Sequence, residues 1–314
     1  MQAVPELRPL GVGDIVDRVF AVYRSRLGPL LVVASLPYLV FALAAGVIGF
    51  AAGPKIVSFL TFSTRAQGGR ISQQELAALL STLADLSVVL LVLVNAAVAF
   101  TLVQAAALVR MVAAAYMGQT VTVGDAMRTG LNAFPRLLLM GIVAFVAFAL
   151  MWAVGLLGAV VLFAVVFGGN APGWLILVAV LLGLALIVAT IFIQASWTVS
   201  PAVAILESTG PIQSLGRSWY LSGGNRWRIL ALQLLLTILQ VVLSSLLSLL
   251  LVAALGSDPT VRFALQQAVN LLANIAWAPI YWGTFAILYY DLRVRKEALD
   301  LQLAVEALPR DTSS

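Results

Sequence analysis

The sequence contains no cysteine and no histidine, and only 10% of its 314 residues are charged. Without thiols there is no disulfide, thiolate metal site or cysteine nucleophile, and without imidazole there is no neutral-pH base and no histidine metal ligand. Most hydrolytic and redox mechanisms lose their usual residues. Thirteen carboxylates remain, which leaves oxygen coordination of a hard cation to consider. The pair best placed for it, Glu207 and Asp291, has no supporting acidic motif. No catalytic residue, cofactor or metal site is therefore expected. The net charge of +5 does not point to nucleic acid either, because no basic, base-stacking module is present.

Apolar residues dominate what is there. Hydrophobic residues make up 62% of the chain and the mean hydropathy is +1.06. Counted with glycine in place of tyrosine, the apolar share is about two-thirds, against roughly 45–50% in soluble domains. A bilayer core of about 30 Å needs about 20 apolar residues of helix. Uncharged stretches of that length occur six times: Leu27–Ala52, Leu86–Val109, Leu137–Phe167, Gly173–Val199, Ile229–Leu255 and Val269–Tyr290. The sequence thus predicts an all-α membrane protein of six transmembrane helices, a single domain over residues 1–314 with no separate soluble part. The Ala42-Leu43-Ala44 triplet resembles a signal-peptidase site, but the long amphipathic segment before it carries Glu6, Asp14 and Asp17, unlike a signal peptide.

Arginine and lysine set the orientation. Fourteen of the 18 basic residues fall before span 1, between spans 2 and 3, between spans 4 and 5, or after span 6; the other side holds only Lys55, Arg65, Arg70 and Arg262. The positive-inside rule then places both termini in the cytoplasm.

Before each odd-numbered span a short amphipathic helix and a basic turn are expected. Val12-Gly13-Asp14 opens the first and Val123-Gly124-Asp125 the second, and the third carries Ile212, Leu215, Trp219 and Tyr220 on one face. Gln104, Gln194 and Thr284 recur at spacings of 90 and 90 near the cytoplasmic ends of the even spans. These coincidences predict three parallel repeats of interfacial amphipathic helix plus two-span hairpin, about 10–118, 119–208 and 209–306, with a flexible tail over 307–314. In the outer 53–85 connection, Ser72 and Glu75 fit a capping box, and Gly168–Pro172 is a short loop.

Two groups of residues are candidate sites. The cores of the six spans hold no ionisable side chain, which argues against a mid-membrane proton relay. In span 6, Asn270, Asn274, Trp277, Tyr281 and Thr284 share a helical face beside Pro279. With Gln104 and Gln194 they either line a cavity for a polar or amphipathic ligand or hydrogen-bond neighbouring helices. The second group lies at the cytoplasmic rim. It comprises Arg18, Arg128, Glu207, Arg217, Arg226, Asp291 and Arg293, amid the aromatic and charged segments around Trp219–Arg228 and Tyr289–Glu297. Glu207 and Asp291 are expected to pair with Arg217, Arg226 or Arg18, leaving other arginines for anionic lipid headgroups. Small residues such as Ala42/Gly46, Gly155/Ala159 and Ser244/Ser248 suit close helix packing within the chain or at a dimer face.

The tail Leu288-Tyr289-Tyr290-Asp291-Leu292-Arg293-Val294-Arg295-Lys296-Glu297, followed by Leu299-Asp300-Leu301, resembles the closing segment of the bacterial glycerophosphoryl diester phosphodiesterase membrane domain family. Pro201–Glu207, Arg217-Ser218-Trp219 with Gly224-Asn225-Arg226-Trp227, and the Leu10–Tyr23 helix resemble other patterns of that family. In its eponymous members such a membrane region is fused to a barrel that uses histidine and metal-binding carboxylates. This chain has no histidine, so the resemblance implies the membrane part alone and no diesterase activity. The expected role is an accessory or lipid-associated membrane component with possible protein partners or self-association. The alternatives are a transporter of a small molecule or lipid along span 6 and, third, a membrane enzyme.

Orientation is testable directly. A reporter active only in the cytoplasm should work when fused after Gly118 or Glu306 and fail when fused at Gly168; activity at Gly168 alone would invert the topology.

Overall fold

The computed structural model describes residues 8–40, 42–43, 46, 73–165, 174–254 and 259–306, and every regular element among them is helical. In chain order these are α1 Val12–Ser25, α2 Leu27–Val40, α3 Gln73–Tyr116, α4 Val123–Val165, α5 Trp174–Trp197, α6 Ser200–Leu206, α7 Pro211–Ser222, α8 Arg226–Ala254, α9 Pro259–Glu297 and α10 Leu299–Glu306. Among the described residues, five helices are long and apolar enough to cross a membrane. The count becomes six if α1 and α2, bent by 91° at their junction, form one span. The expected Ser72 cap, the Gly168–Pro172 loop, Ala44 and the outer end of the first span lie outside the described residues.

Local chemistry explains where helices start. Asp14, three residues into α1, accepts the backbone N–H of Gly11 at 2.8 Å. At the head of α4, the Thr122 hydroxyl donates to Asp125 at 2.7 Å and accepts the Asp125 N–H at 3.1 Å. Gln213 accepts the Gly210 N–H at 3.4 Å before α7. Each arrangement gives a partner to a backbone donor that the helix leaves open.

The expected turn between amphipathic helix and span is present twice and absent once. Arg26 separates α1 from α2, and Gly223–Asn225 separates α7 from α8, with Gly224 at φ 80° supplying the left-handed residue of the turn. In the second case α4 runs unbroken from Val123 to Val165, straight through Pro135. No glycine lies between Leu131 and Met140, whereas the α7–α8 turn is made on one.

Helix length positions the core. At 1.5 Å per residue, α3 with 44 residues and α4 with 43 reach about 65 Å, roughly twice the hydrocarbon thickness. Their buried residues gather at one end. Ala105, Ala106, Ala107, Val109, Val112 and Ala113 of α3 are all 0–1% exposed. Around them stand buried side chains of α1, α2, α4, α6, α8 and α9. By contrast, Leu90, Leu91, Phe145, Leu156, Leu157, Leu177, Val180 and Leu250 at the other end are each more than half exposed.

Small residues let α3 act as the hub. A Cβ on Gly130 of α4 would lie 2.5 Å from the Val103 carbonyl oxygen, and one on Gly283 of α9 would lie 3.1 Å from Val112. Gly155, read from the sequence as a packing residue, abuts Leu186 of α5. Gly130→Ala should therefore destabilise the protein by about 1–3 kcal/mol through overpacking against backbone. Gly141→Ala on the same helix, where a Cβ meets nothing within 4 Å, should be neutral in thermal unfolding monitored by circular dichroism; equal effects would remove the α3–α4 crossing as the cause.

Candidate functional site

Three polar assemblies sit at the packed end. In the first, the Asp291 side chain of α9 is wholly buried. It accepts the Leu10 backbone N–H at 2.7 Å, Arg228 Nη1 at 2.7 Å and Arg295 Nε at 3.2 Å. The same two arginines donate to the Leu10 carbonyl, Arg228 Nη2 at 2.6 Å and Arg295 Nη2 at 2.7 Å. Both ends of one peptide segment are thus held by one ionic cluster.

The second assembly joins α6, α7 and α9. Arg217 donates to Glu207 from Nε at 3.1 Å and to Glu297 from Nη2 at 2.9 Å, with a further Nη1 contact to Glu297. Tyr289 donates its hydroxyl to Glu207 at 2.9 Å, and Arg293 donates to Glu297 at 2.9 Å and to the Tyr289 oxygen at 3.3 Å. The Glu297 hydrogen bond, followed by that of Glu207, pushes the Arg217 guanidinium above its ordinary range against the opposing effect of burial. The two arginines and two glutamates cancel in charge.

The third is built on Ser196 near the end of α5. Its carbonyl accepts the hydroxyls of Ser218 at 2.8 Å and Ser222 at 3.2 Å, and its own Oγ accepts Arg226 Nε at 2.7 Å. The Arg226 guanidinium also stacks 4.2 Å from the Phe192 ring centroid and 4.8 Å from that of Trp219.

Rim expectations are met in part by this geometry. Glu207 pairs with Arg217 as anticipated. Asp291 instead takes Arg228 and Arg295, because Arg226 is turned to Ser196 and Arg18 lies over the Tyr116 ring at 5.8 Å. Arg128 is exposed. Among the described residues Arg8, Arg18, Arg24, Arg26, Arg110 and Arg128 form no ion pair.

The candidate cavity residues divide. Gln104, Asn270 and Asn274 line one cleft of about 400 Å³ between α2, α3 and α9. Gln194 is exposed on α5 and lies apart from that cleft, while Thr284 is buried and donates to its own helix at the Ile280 carbonyl. Tyr281 packs edge-to-face on Trp282 and Phe285. Elsewhere in the stripe, the buried Trp277 Nε1 has no hydrogen-bond partner among the described residues, nor has Arg228 Nε in the first cluster.

The model of one protein family, described as Domain of unknown function (DUF8558), matches residues 4–290. The chain belongs to that family. No curated protein and no solved structure matches it.

Chemistry in this DUF8558 member is constrained by how the acids are used. Among the described residues no group of three acidic side chains is arranged to hold a metal ion. Glu207, Glu297 and Asp291 each accept from arginine, so their oxygens are committed to cross-bracing. Sequence reasoning missed the backbone of Leu10 and the serines Ser196, Ser218 and Ser222, since a main-chain acceptor leaves no compositional trace. The i,i+4 spacings of Asp291 with Arg295 and of Arg293 with Glu297 were the legible signal.

Removing the charge from Asp291 leaves two arginines without their counter-ion. Asp291→Asn should cost about 3–5 kcal/mol, as for other broken buried pairs, and release the N-terminal segment to proteolysis near Leu10. Arg295→Gln, at a side chain 31% exposed, should cost less. Equal losses in a thermal melt would show that Asp291 is not the keystone.

Proposed function

We propose that this chain is a multi-pass cytoplasmic-membrane protein without a reaction of its own, which associates with anionic lipid headgroups at its cytoplasmic rim. The observation that carries the reading is the division of the arginines. Arg217, Arg228, Arg293 and Arg295 are tied to carboxylates, whereas Arg24 and Arg26 at the α1–α2 elbow and Arg128 near the head of α4 pair with none among the described residues. Unpaired arginine beside an apolar surface suits phosphate-bearing lipid, each contact contributing about 1 kcal/mol near an anionic membrane.

Three parallel repeats, with both termini on the cytoplasmic side, remain the organisation that best fits this reading. It is supported by the three helix starts in which a residue three positions in accepts a backbone or hydroxyl donor from the residue before the helix, and by the distribution of positive charge. The resemblance to the glycerophosphoryl diester phosphodiesterase membrane domain agrees with it and adds no diesterase activity. Bacterial origin, protein partners and self-association belong to the same proposal.

Transport along α9 is the second reading, favoured by the cleft at Gln104, Asn270 and Asn274. A conduit needs the stripe to continue towards the cytoplasm. Thr284 bonds its own helix and Tyr281 is packed among aromatics, which favours a blind cleft over a path.

The test is lipid retention. Purified with its native lipids, the wild type should carry phosphatidylglycerol or cardiolipin, and Arg24→Gln/Arg26→Gln/Arg128→Gln should lower that by about a hundredfold, three contacts of roughly 1 kcal/mol each. High salt should weaken wild-type retention as well. Retention indifferent to both charge removal and salt would overturn the headgroup reading.

A further inference from the structure

The cleft between α2, α3 and α9 is chemically unlike the rim. No Asp, Glu, Lys or Arg lines it, yet four amides do: Gln104, Gln267, Asn270 and Asn274, with the Tyr38 phenol opposite and the apolar Phe100 and Leu271 beside them. Its volume of about 400 Å³ lies within the roughly 300–1,000 Å³ typical of small-molecule sites.

An inventory of hydrogen bonds shows what the walls leave open. Gln104 Nε2 is engaged by the Ala34 carbonyl at 2.6 Å, Asn274 Nδ2 by the Asn270 carbonyl at 2.7 Å, and Asn270 Oδ1 by Gln266 Nε2 at 3.1 Å. Among the described residues, no hydrogen bond uses the Gln104 and Asn274 side-chain oxygens, the Asn270 amide nitrogen, the Gln267 side chain or the Tyr38 hydroxyl. Open donors and open acceptors therefore face one cleft with no fixed charge.

Depth narrows the class further. Tyr38 stands eleven residues along α2 from Leu27, about 16 Å at helical rise. That distance takes the cleft below headgroup level once the basic α1–α2 elbow is set at the interface. An ionic head is costly there, whereas an uncharged one is not. A ligand that matches must donate and accept hydrogen bonds, carry no charge and be largely apolar. We infer that the cleft is a binding site for a neutral glycerolipid of the diacylglycerol type, its free hydroxyl and ester carbonyls meeting the amides and its acyl chains lying along Phe100 and Leu271. The site is distinct from the arginine rim and does not depend on the headgroup reading.

The experiment uses the full chain reconstituted in phosphatidylcholine nanodiscs doped with dioleoylglycerol, a prenylated quinone or phosphatidylglycerol, and reads bound lipid by native mass spectrometry. Dioleoylglycerol should be retained above its bulk share at low and high salt alike. Asn270→Leu/Asn274→Leu should reduce retention about tenfold, as expected for two neutral hydrogen bonds. Ala97→Phe, which fills the cleft and leaves every amide in place, should do the same, and helical content and elution volume report whether each variant is folded. Retention at the bulk share, or retention unchanged in both folded variants, would overturn the site. Equal retention of the quinone, which only accepts hydrogen bonds, would overturn the ligand class. Retention of phosphatidylglycerol alone, lost in high salt, would leave only the rim.

Discussion

A carboxylate with no exposed surface is costly among helices unless donors surround it, and Asp291 is met by donors from three directions. Two donors are arginines that reach past it to the Leu10 carbonyl, so that the start of the chain, the start of α8 and the end of α9 close on a single point. The consequence is positional. Once Leu10 is fixed, α1 begins at Val12, after its cap at Gly11, with Ile15 and Val19 directed into the core, and the 91° elbow at Arg26 then aims α2 along the bundle. Breaking the cluster would leave a buried charge on one side and unbound N–H and C=O groups on the other, a penalty that hydrophobic contact alone would not offset.

The described residues pack together at one end and leave their apolar side chains exposed at the other. In a lipid environment apolar side chains gain little by leaving lipid for one another, and helices associate through close backbone approach and polar contacts. Both devices are concentrated where α3 carries its alanines, where Gly130 and Gly283 admit the backbones of α4 and α9, and where the arginine clusters lie. Towards the other end α5 offers Leu177, Val180 and Leu184, all more than half exposed. Those side chains are suited to lipid tails, and nothing in their chemistry demands a protein neighbour.

Composition made the helical membrane class legible, because no soluble fold accommodates so many uncharged stretches of 20 residues or more. Individual contacts were less legible, as the evenly spaced Gln104, Gln194 and Thr284 show. Gln104 crosses to the Ala34 carbonyl, Gln194 stays exposed, and Thr284 turns back on its own helix. Even spacing along the sequence does not say which face a neighbour will cover. The same limit governed the rim. Glu207 and Arg217 lie ten residues apart on adjoining short helices and found each other, whereas the partner of Asp291 at Arg228 is 63 residues away and shares its carboxylate with a main-chain amide. A proline inside a helical pattern usually marks a break or kink, yet α4 continues through Pro135, so the local rule lost to the length of apolar helix that follows.

The preference for arginine follows from what these clusters require. Arg217 spans two carboxylates on different helices, and Arg228 and Arg295 each hold a carboxylate and a carbonyl at once. A planar fork with five donors can do this; an ammonium on a flexible stem meets the same partners only as a point charge. Because the Arg217 cluster is neutral within itself, it contributes little field beyond its own radius. The positive potential beyond these clusters must then come from arginines that pair with no carboxylate among the described residues, which lie on α1, at the elbow, at the end of α3 and near the head of α4. A count of basic residues by segment merges these two uses. Only the pairing separates the arginines that hold the helices together from those left without a carboxylate among the described residues.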